Sequence, residues 1–240
     1  MKNQIIEWVR SIVGNASVVI GISGGKDSSV VAALCVAALG KDRVYGVLMP
    51  DGHQHDIDVS KRLVDFLGIK SFEINIHNMV AASFESIEEA FGRPITYQTK
   101  SNLPARMRMA TLYNVAAMIG NCRVANTCNF SEDWIGYSTK YGDSAGDFAP
   151  IQSLFVSEVK ALGYELGLPR EFIEKVPEDG LSGKTDEENF GFTYAEIEEY
   201  LRHGTGKPEV IAKIDAMHRA SLHKVLPMPR FMVEGREWTK

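Results

Sequence analysis

The stretch that decides the fold reads Ser17-Val18-Val19-Ile20-Gly21-Ile22-Ser23-Gly24-Gly25-Lys26-Asp27-Ser28-Ser29. Its first six residues are mostly β-branched and do not alternate with polar residues, which is typical of a central parallel strand covered on both faces. A glycine-rich loop follows, and from residue 28 to residue 39 small and apolar residues recur at helical spacing until Gly40. The stretch therefore predicts a strand, a loop and a helix in immediate succession.

The same alternation continues on both sides of this stretch. The pattern predicts a helix over 5–13, a strand over 44–49, a helix that Asp56 caps and Gly68 ends, a strand over 71–76, a helix over 102–119 and a strand over 123–125. Such alternation implies right-handed crossovers, and hence a Rossmann-like α/β fold with a mostly parallel sheet and helices on both faces. We expect one domain over residues 1–240. Ligands of such sheets bind beyond the carboxyl ends of the strands.

The composition excludes several classes of protein. Lys and Arg number 26 and Asp and Glu number 31, and the formal net charge of −5 does not favour non-specific binding to nucleic acid. The longest uncharged apolar stretch, 30–39, is about half of the ~20 residues that a membrane span requires. Glu7 and Arg10 interrupt any signal-peptide core, and three cysteines without a CxxC pair favour reduced thiols. We expect a cytoplasmic protein without nucleic-acid or membrane partners.

The glycine-rich loop indicates a phosphate site. Glycines let the backbone approach an anion, serine hydroxyls donate to it, and the N-terminal end of the following helix favours negative charge. The loop matches neither the Walker pattern nor G-x-G-x-x-G. Asp27 would repel a phosphate unless a cation stood between them, and Mg²⁺ is the cation that hard oxygen ligands and phosphates usually hold. The alternative is a plain strand-to-helix turn in which Asp27 or Ser28 only caps the helix.

Two further segments, 126–152 and 176–189, show little periodicity and are rich in polar residues and glycine. We expect both to be long loops. Long irregular loops in a compact domain are often functional, and these two have the composition of a cover over a reactive intermediate.

At Ser23-Gly24-Gly25-Lys26-Asp27-Ser28 the sequence resembles the N-type ATP pyrophosphatases, which have an adenine-nucleotide α-hydrolase-like fold. From about Val18 to Lys224 it resembles one group of them, the ammonia-dependent NAD synthetases. The motifs that carry this resemblance are Asn102-Leu103-Pro104-Ala105-Arg106-Met107-Arg108-Met109, Thr127 with Glu132, Thr139-Lys140-Tyr141-Gly142-Asp143 with Asp147, Thr185-Asp186-Glu187, and His223-Lys224.

The resemblance implies a ligase that amidates deamido-NAD to NAD through an acyl adenylate, with ATP as co-substrate, ammonia as nitrogen donor and Mg²⁺ as metal. It implies that the metal ligands are Asp27 and Glu132, and that Asp27 and Lys140 are catalytic. The implied ATP-binding residues are Gly21, Ile22, Ser23, Gly24, Gly25, Lys26, Asp27, Ser28 and Thr127. The implied deamido-NAD-binding residues are Arg106, Lys140, Asp147, His223 and Lys224.

The resemblance also implies a homodimer. An apolar face formed by Leu112, Val115, Ala116 and Ile119, together with the opening helix, exceeds what one buried helix face requires. We expect these helices to form the dimer interface.

Three positions depart from the family pattern. Leu48 stands where an Arg is usual, Val156 where a phosphate-contacting Lys is usual, and Glu178 where a Ser or Thr is usual. Lys26 and Lys160 are the candidates for replacing the missing charge. Two alternatives therefore stay open: another adenylating ATP pyrophosphatase that transfers an amide or thio group, and a nucleotide-binding module with weakened catalysis.

Overall fold

A parallel sheet of four strands lies at the centre of the computed structural model, which describes residues 1–175 and 185–233. The strands are β1 (Ser17–Gly21), β2 (Val44–Leu48), β3 (Lys70–Glu73) and β4 (Cys122–Val124), in the order β3-β2-β1-β4. Val19 of β1 is in register with Tyr45 on one side and Val124 on the other. The chain moves outward from β1 to β3 and then crosses to the far side of β1. The carboxyl end of β1 is therefore the topological switch point, where such sheets bind ligands.

The helices cover both faces of this sheet and extend beyond it. They are α1 (Lys2–Val13), α2 (Lys26–Leu39), α3 (Ile57–Leu67), α4 (His77–Phe91), α5 (Tyr97–Ile119), α6 (Phe130–Ile135), α7 (Val156–Glu165), α8 (Arg170–Ile173), α9 (Asp186–Phe190), α10 (Tyr194–His203) and α11 (Pro208–Val225), with a 3₁₀ turn at Lys41–Arg43. In the part of the chain that the structure describes, none of them combines the length and the apolar character that crossing a membrane requires.

Three apolar clusters hold these elements together. The first joins α1, α2, α3, α7 and α8 to one face of the sheet and contains Val18 and Ile20 of β1. The second joins α4 and α5 to the opposite face and contains Val19. Successive side chains of β1 thus enter different clusters, which confirms the prediction of a strand covered on both faces. The third cluster lies among α6, α7, α9, α10 and α11, away from the sheet.

The predicted α/β fold is confirmed, and the boundaries differ in physically clear ways. Gly68 ends α3 in the left-handed conformation, as expected, with φ 62° and ψ 28°. β3 ends at Glu73 rather than at residue 76, although the Ile74 and Ile76 amides still donate to the carbonyls of Leu48 and Pro50, at and just after the end of β2. α5 begins earlier than predicted because the Thr96 hydroxyl accepts a hydrogen bond from the Thr99 amide and caps it. α4 has no counterpart in the sequence-based prediction.

Candidate active site

The loop after β1 has the geometry of an anion site. Gly25 is the N-cap of α2, and among the residues that the structure describes no side chain caps this helix. Its first backbone amides are therefore directed at the loop, where they favour an anion. Asp27 is the second residue of α2, so the alternative in which Asp27 or Ser28 serves only as the cap is wrong. At Gly24, φ is +73° and a Cβ would lie 3.0 Å from the backbone nitrogen of Ser60, so any other residue would be both strained and crowded there.

Serine hydroxyls and carbonyls hold the loop in shape. The Ser28 hydroxyl donates to the Gly25 carbonyl over 3.1 Å and accepts from the Ser23 amide over 3.3 Å. The hydroxyl oxygens of Ser23 and Ser28 lie 3.0 Å apart. The Ser29 hydroxyl also donates to the Gly25 carbonyl, over 2.7 Å. These contacts preorganise the loop before any ligand binds.

Asp27 and Glu132, the two predicted metal ligands, meet beside this loop although they are 105 positions apart in the sequence. Asn129 joins the two segments: its side-chain oxygen caps α6 by accepting from the Glu132 amide over 3.1 Å, and its side-chain nitrogen donates to Asp27 Oδ1 over 3.1 Å. The Lys26 ammonium lies 2.7 Å from Asp27 Oδ2 and 3.7 Å from Glu132 Oε1. The site is therefore an acidic cluster with a lysine inside it.

The electrostatics of this cluster are those of charges held close together away from water. Burial, and after it the charge of Asp27, raises the pKa of Glu132 to about 8, although Lys26 acts in the opposite direction. Burial would lower the pKa of Lys26, but Asp27 and Glu132 outweigh it and the net shift is upward. A divalent cation would relieve the repulsion between the two carboxylates.

The donor set suits Mg²⁺ in part. Carboxylate and hydroxyl oxygens are the ligands that this ion takes. The described residues contain no group of three or more His, Cys, Asp and Glu side chains arranged to hold a metal. Asp27 and Glu132 would therefore supply two ligands, and substrate phosphates and water would complete the coordination, as is usual for Mg²⁺.

A cleft opens between the loop and α6. Its lining consists of Ser23, Gly25, Asp27, Ser28, Thr127, Cys128, Glu132 and Asp143. Six of these residues are among the predicted site residues, and Cys128 and Asp143 are not. Asp143 stands in the Thr-Lys-Tyr-Gly-Asp motif, and that was a signal for it in the sequence. Burial raises the pKa of its carboxyl group, which accepts from the Thr139 amide over 2.7 Å.

The residues predicted to bind deamido-NAD lie mostly in a second neighbourhood. Arg106 Nε donates to the Lys140 carbonyl over 3.2 Å, and Lys140 Nζ donates to the His223 carbonyl over 2.7 Å. Lys224 Nζ donates to two carbonyls of the segment after α6, those of Gly136 and Ser138, over 2.7 and 2.9 Å. α5, the segment after α6 and the end of α11 are thus joined at one place.

Asp147 is placed differently. Its Oδ2 accepts from the Val124 amide over 2.8 Å and its Oδ1 from the Tyr113 hydroxyl over 3.4 Å, beside β4. Among the contacts of the described residues, none joins it to Arg106, Lys140 or α11. The structure thus brings four of the five predicted substrate residues together and leaves the fifth at the edge of the sheet.

The three departures from the family pattern have different outcomes. Leu48 is buried in the first apolar cluster, and Arg108 of α5 brings a guanidinium to the same strand end, where its Nε donates to the Met49 carbonyl over 3.1 Å. Arg108 is not among the predicted site residues, although it stands in the motif Asn102–Met109. Val156 is buried in the third cluster. Glu178 lies outside the described residues.

Of the two proposed replacements for the missing charge, Lys160 is engaged elsewhere. Its ammonium lies 2.7 Å from Glu174 at the surface. Lys26 lies in the site, directed at carboxylates.

The expectation of two long loops is wrong for the first segment. Residues 126–152 contain α6, and Asn126 and Asn129 within the segment are buried. Phe130 packs edge-on against Phe155 with ring centroids 5.1 Å apart, a contact that no periodicity within the segment reveals. In the second segment, residues 176–184 lie outside the described part of the chain, and Thr185 caps α9.

Comparisons with known proteins found a family model and relatives that match most of the chain. The family model of NAD synthase matches residues 1–230. The NH(3)-dependent NAD(+) synthetase of Methanocaldococcus jannaschii is 41% identical in an alignment of 226 positions that covers 88% of this chain and 84% of that protein.

Two solved structures resemble the chain over nearly its whole length. An NMN synthetase from Francisella tularensis has a TM-score of 0.86 at 33% identity, covering 96% of this chain and 97% of the other. An NH3-dependent NAD synthetase from Campylobacter jejuni, in complex with nitrate, has a TM-score of 0.77 at 32% identity, covering 97% of each chain.

Proposed function

The chain belongs to the NAD synthase family, and from that premise we propose that it is a ligase that amidates deamido-NAD to NAD with ATP and ammonia. The observation that carries this proposal is the meeting of Asp27 and Glu132 beside a glycine loop at the N-terminus of α2. That arrangement suits a nucleoside triphosphate with its divalent cation.

The proposed reaction has two steps. The nicotinate carboxylate attacks the α-phosphorus of ATP, an acyl adenylate forms, and pyrophosphate leaves. Ammonia then attacks the activated carbonyl carbon, the bond from that carbon to the oxygen of AMP breaks, and the nitrogen loses a proton. No side chain becomes covalently attached, so catalysis comes from positioning and from stabilisation of charge.

The chain's own residues divide this work. The serines and backbone amides of the phosphate loop bind the triphosphate, and Asp27 and Glu132 hold Mg²⁺. When bound, Mg²⁺ supplies positive charge that stabilises the charge developing on the phosphate oxygens. Thr127 lines the same cleft and is assigned to ATP.

Deamido-NAD would bind at the second neighbourhood, around Arg106, Lys140, His223 and Lys224. A pyrophosphate and a carboxylate require several cationic partners, and this region gathers two lysines and an arginine in a chain that is acidic overall. Lys140 is assigned to catalysis from the resemblance. Asp147 is assigned to the same substrate from the resemblance alone.

A homodimer remains part of the proposal, with a changed interface. Of the face predicted for the interface, Ala116 is buried in the second apolar cluster, and Leu112, Val115 and Ile119 pack against that cluster within the chain. The exposed apolar side chains of α5 are instead Tyr97, Tyr113 and Met118, the last of them 89% exposed. We expect a C2 dimer that buries these residues, and sedimentation at micromolar concentration tests it, because a monomer would refute it. We also place the protein in the cytoplasm.

One observation favours a second candidate substrate. The similarity to the NMN synthetase is strong, with a TM-score of 0.86. Amidation of nicotinate mononucleotide to NMN uses the same carboxylate and the same adenylation chemistry, and needs no site for the second nucleotide.

One assay separates these possibilities. The protein is incubated with ATP, Mg²⁺ and ammonium, and pyrophosphate release is measured with deamido-NAD or with nicotinate mononucleotide. We expect a higher kcat/KM for deamido-NAD. A preference for the mononucleotide would support the second candidate, and binding of ATP without pyrophosphate release from either substrate would indicate a module that has lost catalysis.

A further inference from the structure

A buried lysine lies inside the acidic cluster of the candidate site. The side chain of Lys26 is 3% exposed, and its ammonium contacts Asp27 Oδ2 at 2.7 Å and Glu132 Oε1 at 3.7 Å. The ring of Tyr194 lies over the ammonium, 5.5 Å away at its centroid. The ammonium is thus directed at the proposed metal ligands and is shielded from solvent.

The surroundings hold Lys26 in this position. The Tyr194 hydroxyl donates to Asp186 Oδ2 over 3.1 Å, and the charge of Asp186 also acts on Lys26. The other oxygen of Asp27 accepts a hydrogen bond from Asn129. The cluster therefore holds three carboxylates and one ammonium, and Asp27 already has a hydrogen-bond donor on each oxygen before any metal binds.

We infer that Lys26 is a resident cation of the metal site and makes binding of the divalent ion depend on the triphosphate. This inference rests on the metal assignment in the proposed function. A divalent ion that arrives alone has to share Asp27 with an ammonium of like charge, which weakens its binding. A triphosphate brings additional negative charge next to both cations, so metal and ATP bind together.

The alternative is that Lys26 binds a phosphate of ATP directly. In that case its side chain has to leave the two carboxylates and reach the loop. The two roles make opposite predictions for metal binding without nucleotide. Removal of a phosphate ligand leaves the affinity for the metal alone unchanged, whereas removal of a resident cation increases it.

The test is binding of Mn²⁺ alone, followed by electron paramagnetic resonance, to the wild type, Lys26→Met and Lys26→Gln. We expect both variants to bind Mn²⁺ with a Kd at least about tenfold lower than that of the wild type, because a nearby like charge has been removed. Lys61→Met is the matched control, because it removes a surface lysine that pairs with Glu73 at 2.9 Å, and it should bind Mn²⁺ like the wild type. Equal affinity in wild type and both Lys26 variants would overturn the inference.

Thermal unfolding provides a second readout that does not depend on activity. Without metal, Lys26→Met leaves the carboxylates uncompensated and should melt at a lower temperature than the wild type, and Mn²⁺ alone should stabilise this variant more than the wild type. If Lys26→Met does not fold, Lys26→Met combined with Glu132→Gln keeps the formal charge of the cluster and should recover folding. An equal Tm increase with Mn²⁺ in wild type and Lys26→Gln would contradict the inference.

The same variants separate a failure of this inference from a failure of the metal assignment. In the Lys26→Gln background, a further Glu132→Gln change should abolish the gained Mn²⁺ affinity. If the gained affinity persists, the ion binds elsewhere and the assignment of Glu132 is wrong. If no affinity is gained while Glu132→Gln alone still abolishes turnover, only the role of Lys26 is wrong.

Discussion

The two halves of the candidate site belong to regions that are built differently. The phosphate-loop region, residues 17–39, consists of β1, the loop and α2. Ten of the fourteen residues of α2 are buried, and most of its apolar side chains belong to the first apolar cluster. Because the whole region is one uninterrupted stretch of sequence, its local residue pattern determines its shape.

The aromatic region, which consists of α6, α9, α10 and α11, is held by contacts between distant segments. Trp134 stacks on His218 with ring centroids 4.0 Å apart, and His218 Nδ1 lies 2.8 Å from the Trp134 carbonyl. Phe190 packs edge-on against Tyr137 and Tyr194 at 5.1 and 5.5 Å. Its helices other than α11 are ten residues or shorter, so packing rather than helix propensity holds them.

Because each region supplies one of the two proposed metal ligands, the site is complete only when both are folded and docked. Asp27 depends on the phosphate-loop region, and Glu132 depends on the position of α6 in the aromatic region. Substitutions in either region are therefore expected to affect the site by different routes, one through the loop itself and the other through docking.

The largest effect is expected where the two regions meet, at Asp27 and Glu132. Asp27→Asn and Glu132→Gln each remove one formal charge next to the triphosphate with little change of shape. Turnover should fall roughly 10²–10³-fold or more, as for the loss of a group that stabilises transition-state charge, while folding remains intact. Steady-state pyrophosphate release and thermal unfolding measure the two properties.

Asp65→Asn provides the control for this pair, because Asp65 is an exposed acid on α3. It should leave turnover unchanged. Normal activity in Asp27→Asn or in Glu132→Gln would refute the metal assignment for that residue, and a loss of activity that matches a loss of folded protein would indicate a structural role.

The sequence predicted the phosphate-loop region well, for a physical reason. A β-branched run, a glycine loop and an apolar helix are local patterns, and the structure contains all three with boundaries shifted by one or two residues. Gly68 likewise predicted the end of α3 correctly, since the left-handed conformation at that position favours glycine. At such places the neighbouring residues determine the conformation.

The aromatic region could not be predicted in the same way. α6 has only six residues, too few to show a recurring apolar pattern. It is fixed by the Asn129 cap and by packing against α11, which lies more than seventy residues further along the chain. The contact of Lys26 with Glu132 also depends on that docking. Sequence resemblance indicated the residues of the candidate site, whereas their mutual contacts required the tertiary structure.

The docking of α11 on α6 can be broken at Gly136. This glycine is left-handed, with φ 66°, and a Cβ there would overlap the side chain of Ser221 on α11. Gly136→Ala should lower the free energy of unfolding by about 3 kcal/mol, from backbone strain together with overpacking. Urea denaturation followed by fluorescence measures the change.

Gly92→Ala is a matched control, because Gly92 has a similar φ of 62° and a Cβ there would meet nothing within 4 Å. It should cost only the strain, about 1 kcal/mol. Equal losses in the two variants would show that the overlap of the added Cβ with Ser221 contributes nothing to the loss of stability. If the overlap is the cause, Ser221→Gly should partly rescue Gly136→Ala.

A smaller effect on stability is expected at Lys224, which ties the end of α11 to the segment after α6. Lys224→Met removes two hydrogen bonds to carbonyls and should lower the free energy of unfolding by about 1–2 kcal/mol. Because Lys224 is also assigned to deamido-NAD, we expect a higher KM for this substrate with the KM for ATP unchanged. A lower stability with both KM values unchanged would make Lys224 purely structural.

The smallest effects are expected in the reactivity of two buried cysteines that report on the two regions separately. Burial raises the pKa of Cys35 in α2 to about 12, so at pH 8 only roughly one thiol in ten thousand is the reactive thiolate. Burial likewise raises the pKa of Cys128, which lies at the boundary between the regions and donates to the Asp143 carbonyl over 3.3 Å.

Labelling of Cys35 requires unfolding of the core, whereas labelling of Cys128 requires only that α6 separate from the loop. In a Cys122→Ser background, Cys128 should therefore react with a disulfide reagent faster than Cys35, and ATP with Mg²⁺ should slow Cys128 by a larger factor than Cys35. Equal rates that respond equally to ligand would show that the two regions open as one unit, and would refute the independence on which the comparison depends.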